Sequence, residues 1–258
     1  MQDLKVVGIQ FDIEWKSKAA NFKYLESEIE KISDADLIVL PEMFQTGFCF
    51  DVEELAEDFE QSETFIWLKL QAQKSNAAII ASFMAKEDEK VFNRLVFMQP
   101  NGEFDTYDKR HLFSMSQEPK HFKAGHQKLI VEYKGWKICP MVCYDLRFPV
   151  WIRNKERYDL LVFIANWPER RSMHWDKLLQ ARAIENQCYV MGINRVGDDG
   201  IGIYHDGRSA IIDALGEPLE SAIHDSSILN AQLQKRHLST VREKMPFLKD
   251  ADDFELKF

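Results

Sequence analysis

Apolar runs of strand length recur along the whole chain. They lie at 4–11 (LKVVGIQF), 36–42 (DLIVLPE), 77–84 (AAIIASFM), 94–100 (RLVFMQP), 128–133 (KLIVEY), 137–145 (KICPMVCYD), 159–167 (DLLVFIANW), 189–197 (YVMGINRVG), 209–216 (SAIIDALG) and 226–233 (SSILNAQL). Most are continuous rather than alternating, the pattern of strands with no wet face, so the sheets are expected to be covered by helices. Helical spacing sits between several of these runs. Over 18–32, Phe22, Leu25, Ile29 and Ile32 fall at i, i+3, i+7 and i+10, with Lys and Glu on the other faces. Residues 64–74 and 173–187 read the same way, the latter through Trp175, Leu178, Leu179, Arg182 and Ala183. PNGE at 100–103 and ALGE at 214–217 look like hairpin connections, which predicts mixed rather than purely parallel sheets. No Pro/Gly/Ser-rich linker, low-complexity tract or repeat interrupts the alternation, so residues 1–258 are expected to form one α/β domain. Residues 246–258 form a charged tail that carries Phe254, Leu256 and Phe258, a composition expected to be frayed or docked at a dimer interface.

Composition narrows the class. Lys+Arg 33 against Asp+Glu 42 leaves a net charge of −9, which argues against a nucleic-acid binder. Four cysteines (Cys49, Cys139, Cys143, Cys188) in 258 residues are too few for a disulfide scaffold. The start MQDLKVVGIQFDIEW lacks the features of a signal peptide, and no apolar run approaches the roughly 18–20 residues of a membrane span. The expectation is a soluble cytoplasmic protein with neither nucleic acid nor membrane as partner. His111, His121, His126, His174 and His205 match no zinc spacing, and neither GxGxxG nor GxxxxGK[ST] occurs, so no metal or nucleotide cofactor is expected.

Three residues stand out chemically. Cys143 ends an apolar strand and is followed by polar YDLR, a turn that would expose a thiol beside free backbone N–H groups. Read by itself it is equally a small buried hydrophobe. Glu42 closes DLIVLP, where it is either a base of raised pKa or the cap of a following turn. Lys109, in TYDKRHLF, reads alone as a solvated charge. Cys139 and Cys188 look like packing residues, Cys139 pointing to the same strand face as Cys143.

Taken together, LPEMF (40–44), DKRHLF (108–113) and CYDLRFP (143–149) resemble the three signature blocks of the carbon–nitrogen hydrolase, or nitrilase, superfamily, in its order Glu, Lys, Cys. ANWP (165–168) and LLQARAIENQCYV (178–190) look like further family blocks, so the resemblance covers nearly the whole chain. Within the superfamily, CYDLRFP and RHLFSMSQE look most like the omega-amidases. The resemblance implies a four-layer αββα sandwich with mixed sheets, a homodimer, no cofactor, and hydrolysis of the omega-amide of a small α-keto acid such as 2-oxoglutaramate or 2-oxosuccinamate through a thioester. It implies Glu42, Lys109 and Cys143 as catalytic residues, the Tyr144 N–H as oxyanion donor, and Glu118 as a supporting carboxylate. A substrate carboxylate needs a cation; Arg147 and Arg171 are the candidates, with Trp167 beside them. Arg147 has a second reading, a salt bridge with Asp145 or Glu185 that braces the turn.

Overall fold

The structure is a computed structural model that describes residues 2–256; the expectation for Phe258 falls outside the described residues. The first half of the chain supplies β1 (Leu4–Gln10), β2 (Leu37–Val39), β3 (Glu57–Asp58), β4 (Ala78–Glu87), β5 (Lys90–Met98) and β6 (Phe104–Asp108). The second half supplies β7 (Val131–Tyr133), β8 (Trp136–Val142), β9 (Leu160–Ala165), β10 (Tyr189–Asn194), β11 (Val196–Asp198), β12 (Tyr204–Ile212) and β13 (Pro218–Ile223), before β14 (Ser227–Leu233) returns to the first sheet. Among the described residues these make two seven-stranded sheets, ordered β14-β1-β2-β4-β5-β6 with β3 beside β4, and β11-β12-β10-β9-β8-β7 with β13 beside β12. Each has a parallel centre, β1/β2/β4 and β8/β9/β10, flanked by antiparallel pairs. The mixed sheets inferred from the hairpin signals are present.

The period of two explains why the runs look continuous. Along β1, β2, β4 and β5, Val6, Leu37, Val39, Ile80 and Phe97 enter a core shared with Ile138, Met141, Val162 and Met191 of the other sheet. Their neighbours Val7, Ile38, Ile79 and Val96 point the opposite way, into a second core. That second core is closed by Phe22, Leu25 and Ile29 of α1 (Lys18–Ile29), and by Phe65 and Leu68 of a further helix, Glu63–Ser75. Both strand faces are therefore dry. On the other side, Trp175, Leu179 and Ala183 of the helix Ser172–Asn186 cover the second sheet. The layers run helix, sheet, sheet, helix: an αββα sandwich.

At the C-terminal end, Lys155 pairs with Asp253 at 2.7 Å and its ammonium lies 4.8 Å from the centre of the Phe254 ring. Phe254 and Leu256 border a surface cleft with Val150 and Trp151. Among the described residues no helix is long and apolar enough to cross a membrane.

Candidate active site

The site forms where β2 and β6 of one sheet and β8 and β9 of the other all end. Beyond β2, Leu40 keeps one more ladder bond, its N–H to Ile80 O at 2.9 Å, and Pro41 then ends the strand at Glu42. Met43 takes a left-handed φ of 45° and gives its N–H to Ser82 Oγ. Lys109 follows β6, tied by its N–H to Asn93 O and by its carbonyl to the Gly125 N–H. Cys143 follows β8 as the first residue of a helical turn over 143–147, also at φ 45°. An L-residue in that region costs roughly 1–2 kcal/mol, so surrounding contacts must hold it there.

Glu42, Lys109 and Glu118 form one buried cluster. Lys109 Nζ donates to Glu42 Oε1 at 2.9 Å and to Glu118 Oε1 and Oε2 at 2.9 and 3.1 Å. Lys109 is 1% exposed, so the solvated charge that its local sequence suggests is not what the fold makes of it. Asn93 Nδ2 adds a bond to Glu42 Oε1 (2.8 Å), and the Asn166 N–H one to Glu42 Oε2 (2.9 Å). Both oxygens of Glu42 are thereby fixed, and the charge of this carboxylate acts on the Cys143 thiol.

Electrostatics sets the resting protonation. Burial opposes the charge of Lys109, but the carboxylates of Glu118 and Glu42 outweigh it and hold the ammonium well above its ordinary pKa. Burial, then the Glu42 charge, push the Cys143 thiol well above its usual value, with Lys109 pulling the other way. Glu118 is raised by burial too; Lys109 opposes this and Glu42 adds to it. A free thiolate would be a third negative charge around one ammonium, so the resting thiol keeps its proton.

A cavity of about 300 Å³ opens at Cys143. Lys109, Tyr144, Asn166, Trp167, Arg147 and Arg171 all line it, so the residues singled out in the sequence meet at one place, with Glu42 and Glu118 buried behind Lys109. Arg147 lies over the Trp167 ring at 4.7 Å and 3.2 Å from His174 Nδ1. The alternative brace for Arg147 is overturned, because both proposed partners are engaged elsewhere. Asp145 binds the Val142 N–H, Tyr107 and His111, while Glu185 pairs with Arg182. Arg171 lies over Phe113 at 5.1 Å, and its carbonyl accepts the Trp167 indole N–H. Burial and the neighbouring Arg170 charge lower its pKa. Cys139 and Cys188 sit in the shared core, where burial pushes both thiols up. Among the described residues no group of three His, Cys, Asp or Glu is arranged to hold a metal ion.

Sequence reasoning passed over Asn93 and Asn166, and weighed Asp145 only as a salt-bridge partner for Arg147. Asn93 had a usable signal, a lone amide within the apolar stretch KVFNRLVFM. Asn166 stands inside ANWP, where the motif drew attention but the amide did not.

Residues 6–243 match the carbon-nitrogen hydrolase family. The chain belongs to that family. This carbon–nitrogen hydrolase is 44% identical over 257 residues to the omega-amidase YafV of Escherichia coli (strain K12), covering 99% of this chain and 100% of the relative. It is 36% identical over 248 residues to the 2-oxoglutaramate amidase of Bacillus subtilis (strain 168), covering 94% and 95%. Among solved structures, XC1258 from Xanthomonas campestris, a CN-hydrolase superfamily protein with an arsenic adduct in its active site, superposes with a TM-score of 0.97 at 40% identity over 100% of both chains. Family membership makes the chain a hydrolase of carbon–nitrogen bonds on the nitrilase-type sandwich described above.

Proposed function

We propose that the protein is an omega-amidase, releasing ammonia from the terminal amide of a small α-keto acid such as 2-oxoglutaramate. The observation that carries this reading is the Cys143 thiol in a small cavity that Lys109 also lines, the Lys109 ammonium being fixed to the buried Glu42 carboxylate, with Arg147, Arg170 and Arg171 around the same cavity. The names of the relatives point the same way.

In this reading the raised thiol pKa makes Glu42 a base that acts during attack rather than before it. The Cys143 sulfur bonds to the amide carbon as its proton passes to Glu42. Lys109 and the Tyr144 N–H take the charge that develops on the carbonyl oxygen. Protonated Glu42 then gives its proton to the departing nitrogen, the C–N bond breaks, and a thioester remains. Water attacks that carbon, Glu42 takes the water proton and returns one to sulfur, and the keto acid leaves. Glu118 keeps Lys109 aimed at the reacting oxygen. Arg171, with Arg147 and Trp167 beside it, holds the substrate carboxylate.

The proposal extends to a homodimer and to a cytoplasmic location. All four cysteines are free, three of them buried, which suits a reducing compartment.

The test is ammonia release from 2-oxoglutaramate measured beside glutamine, asparagine, an N-carbamoyl amine and a simple nitrile. The keto acid amide should be the best substrate, and Cys143→Ala should abolish turnover while leaving the fold intact. A neutral amide or nitrile as best substrate would leave only the family-level activity standing.

A further inference from the structure

One buried carboxylate outside the catalytic cavity binds both segments that carry the chemistry. Asp145 is fully buried and receives four hydrogen bonds. Its Oδ2 accepts the N–H of Val142, the residue before Cys143, at 3.1 Å, and the Tyr107 hydroxyl at 2.8 Å. Its Oδ1 accepts the His111 N–H at 3.0 Å and His111 Nδ1 at 2.7 Å. A carboxylate only accepts, so this Nδ1 carries the ring proton. Tyr107 and His111 stand two residues before and two after Lys109. The same side chain therefore clasps the nucleophile turn and both flanks of the lysine.

The clasp is itself braced. The Tyr107 oxygen also accepts the Arg110 N–H at 3.2 Å and the Trp151 indole N–H at 3.1 Å. The His111 ring stacks on Phe148 with centroids 3.8 Å apart and planes 8° from parallel. Neither Asp145 nor His111 lines the catalytic cavity. Yet Cys143 is held at a left-handed φ that its side chain disfavours, and Lys109 comes from the other sheet. Something has to hold the two in register, and this carboxylate is bonded to the residue before Cys143 and to residues on both sides of Lys109.

We infer that Asp145 and His111 are positioning residues of the reaction: through His111 and Tyr107 on one side and Val142 on the other, they set the Lys109 ammonium against the Cys143 sulfur. The inference rests on the amidase reading of the site but not on which amide is cleaved. Loosening the clasp displaces an oxyanion donor from its nucleophile while leaving the substrate pocket in place. The loss then falls on kcat and spares KM.

The test uses His111→Leu and His111→Asn, assayed on whichever amide the wild type turns over fastest, so a wrong substrate assignment shows in the wild type and not in the variants. Leucine removes the ring donor; asparagine offers an amide N–H near the position of Nδ1. His111→Leu should lower kcat by about 10–100-fold with KM within about twofold, and His111→Asn should recover kcat to within about threefold of wild type. Unchanged kcat in His111→Leu overturns the inference. So do equal losses in both variants, or a loss carried by KM, since the ring would then matter only as packing. If His111→Leu does not fold, Tyr107→Phe deletes one hydroxyl with almost no volume. It should show the same selective fall in kcat, and an unchanged kcat there overturns the inference equally.

Discussion

Lys109 sits between two buried carboxylates, and its replacement therefore acts on two quantities at once. Lys109→Ala should lower kcat by about 10²–10³, the effect of losing one oxyanion donor in a dry site. It should also destabilise the protein by about 3–5 kcal/mol, because Glu42 and Glu118 are left facing each other without a cation. Adding Glu118→Gln to that variant should restore much of the stability in urea titrations and none of the activity. Recovery of activity would mean that the ammonium serves only to neutralise charge. The arginines separate in a similar way. Arg171→Ala should raise KM for 2-oxoglutaramate by about 10–150-fold, the weight of a charge-assisted bond to a carboxylate, and leave a small neutral amide almost unaffected. Arg147 packs on Trp167 and touches His174, so Arg147→Ala should damage both substrates together. Parallel KM measurements on the two amides decide between them. The lysine partnership is not visible locally: a lysine inside DKRH looks solvated until Glu42, 67 residues earlier, and Glu118, nine residues later, close on it.

Of the strands that carry the site, β2, β8 and β9 were legible because both of their faces are dry. β1, β4, β8, β9 and β10 announce themselves as unbroken apolar runs, and Glu42 and Cys143 stand out as the first polar or reactive residues where such runs stop. Two of the more exposed strands were not legible. β6 reads FDTYD, and of its five residues only Tyr107 is buried; β13 reads PLESAI and is almost wholly exposed. Composition cannot separate such segments from loop, although β6 delivers Lys109. The turn that carries Cys143 was read from the polar YDLR after the apolar run, but its helical form was not, since one helical turn has no period to detect. The family resemblance assembled the Glu, Lys and Cys blocks where periodicity stopped short. A backbone contact beside β6 gives a prediction at this scale. A Cβ on Gly125 would lie 2.1 Å from the Asp108 carbonyl oxygen, and the Gly125 N–H is bonded to the Lys109 carbonyl. Gly125→Ala must therefore push apart two backbone segments at the lysine. It should cost about 1–3 kcal/mol of stability in denaturant unfolding and lower kcat more than it changes KM. Wild-type values for both would mean that the neighbouring loop yields freely.

At the scale of the molecule, the C-terminal tail and the assembly are linked questions. Asp253 and Phe254 engage Lys155, and Leu256 reaches the cleft beside Val150 and Trp151, close to the nucleophile turn. If the proposed homodimer forms through this tail, a chain truncated after Lys249 should dimerise more weakly in sedimentation equilibrium. An undiminished dimer would confine the tail to packing against its own chain. The two sheets carry a separate consequence. Glu42 and Lys109 ride on one of them and Cys143 on the other, so reactivity reports how one plate is seated upon its mate. The dense apolar filling between the plates acts as the gauge that spaces acid, ammonium and sulfur. Loops at the rim are then free to drift toward new amides over evolutionary time, whereas a lost methyl deep between the plates, far from any substrate, would be felt at the sulfur.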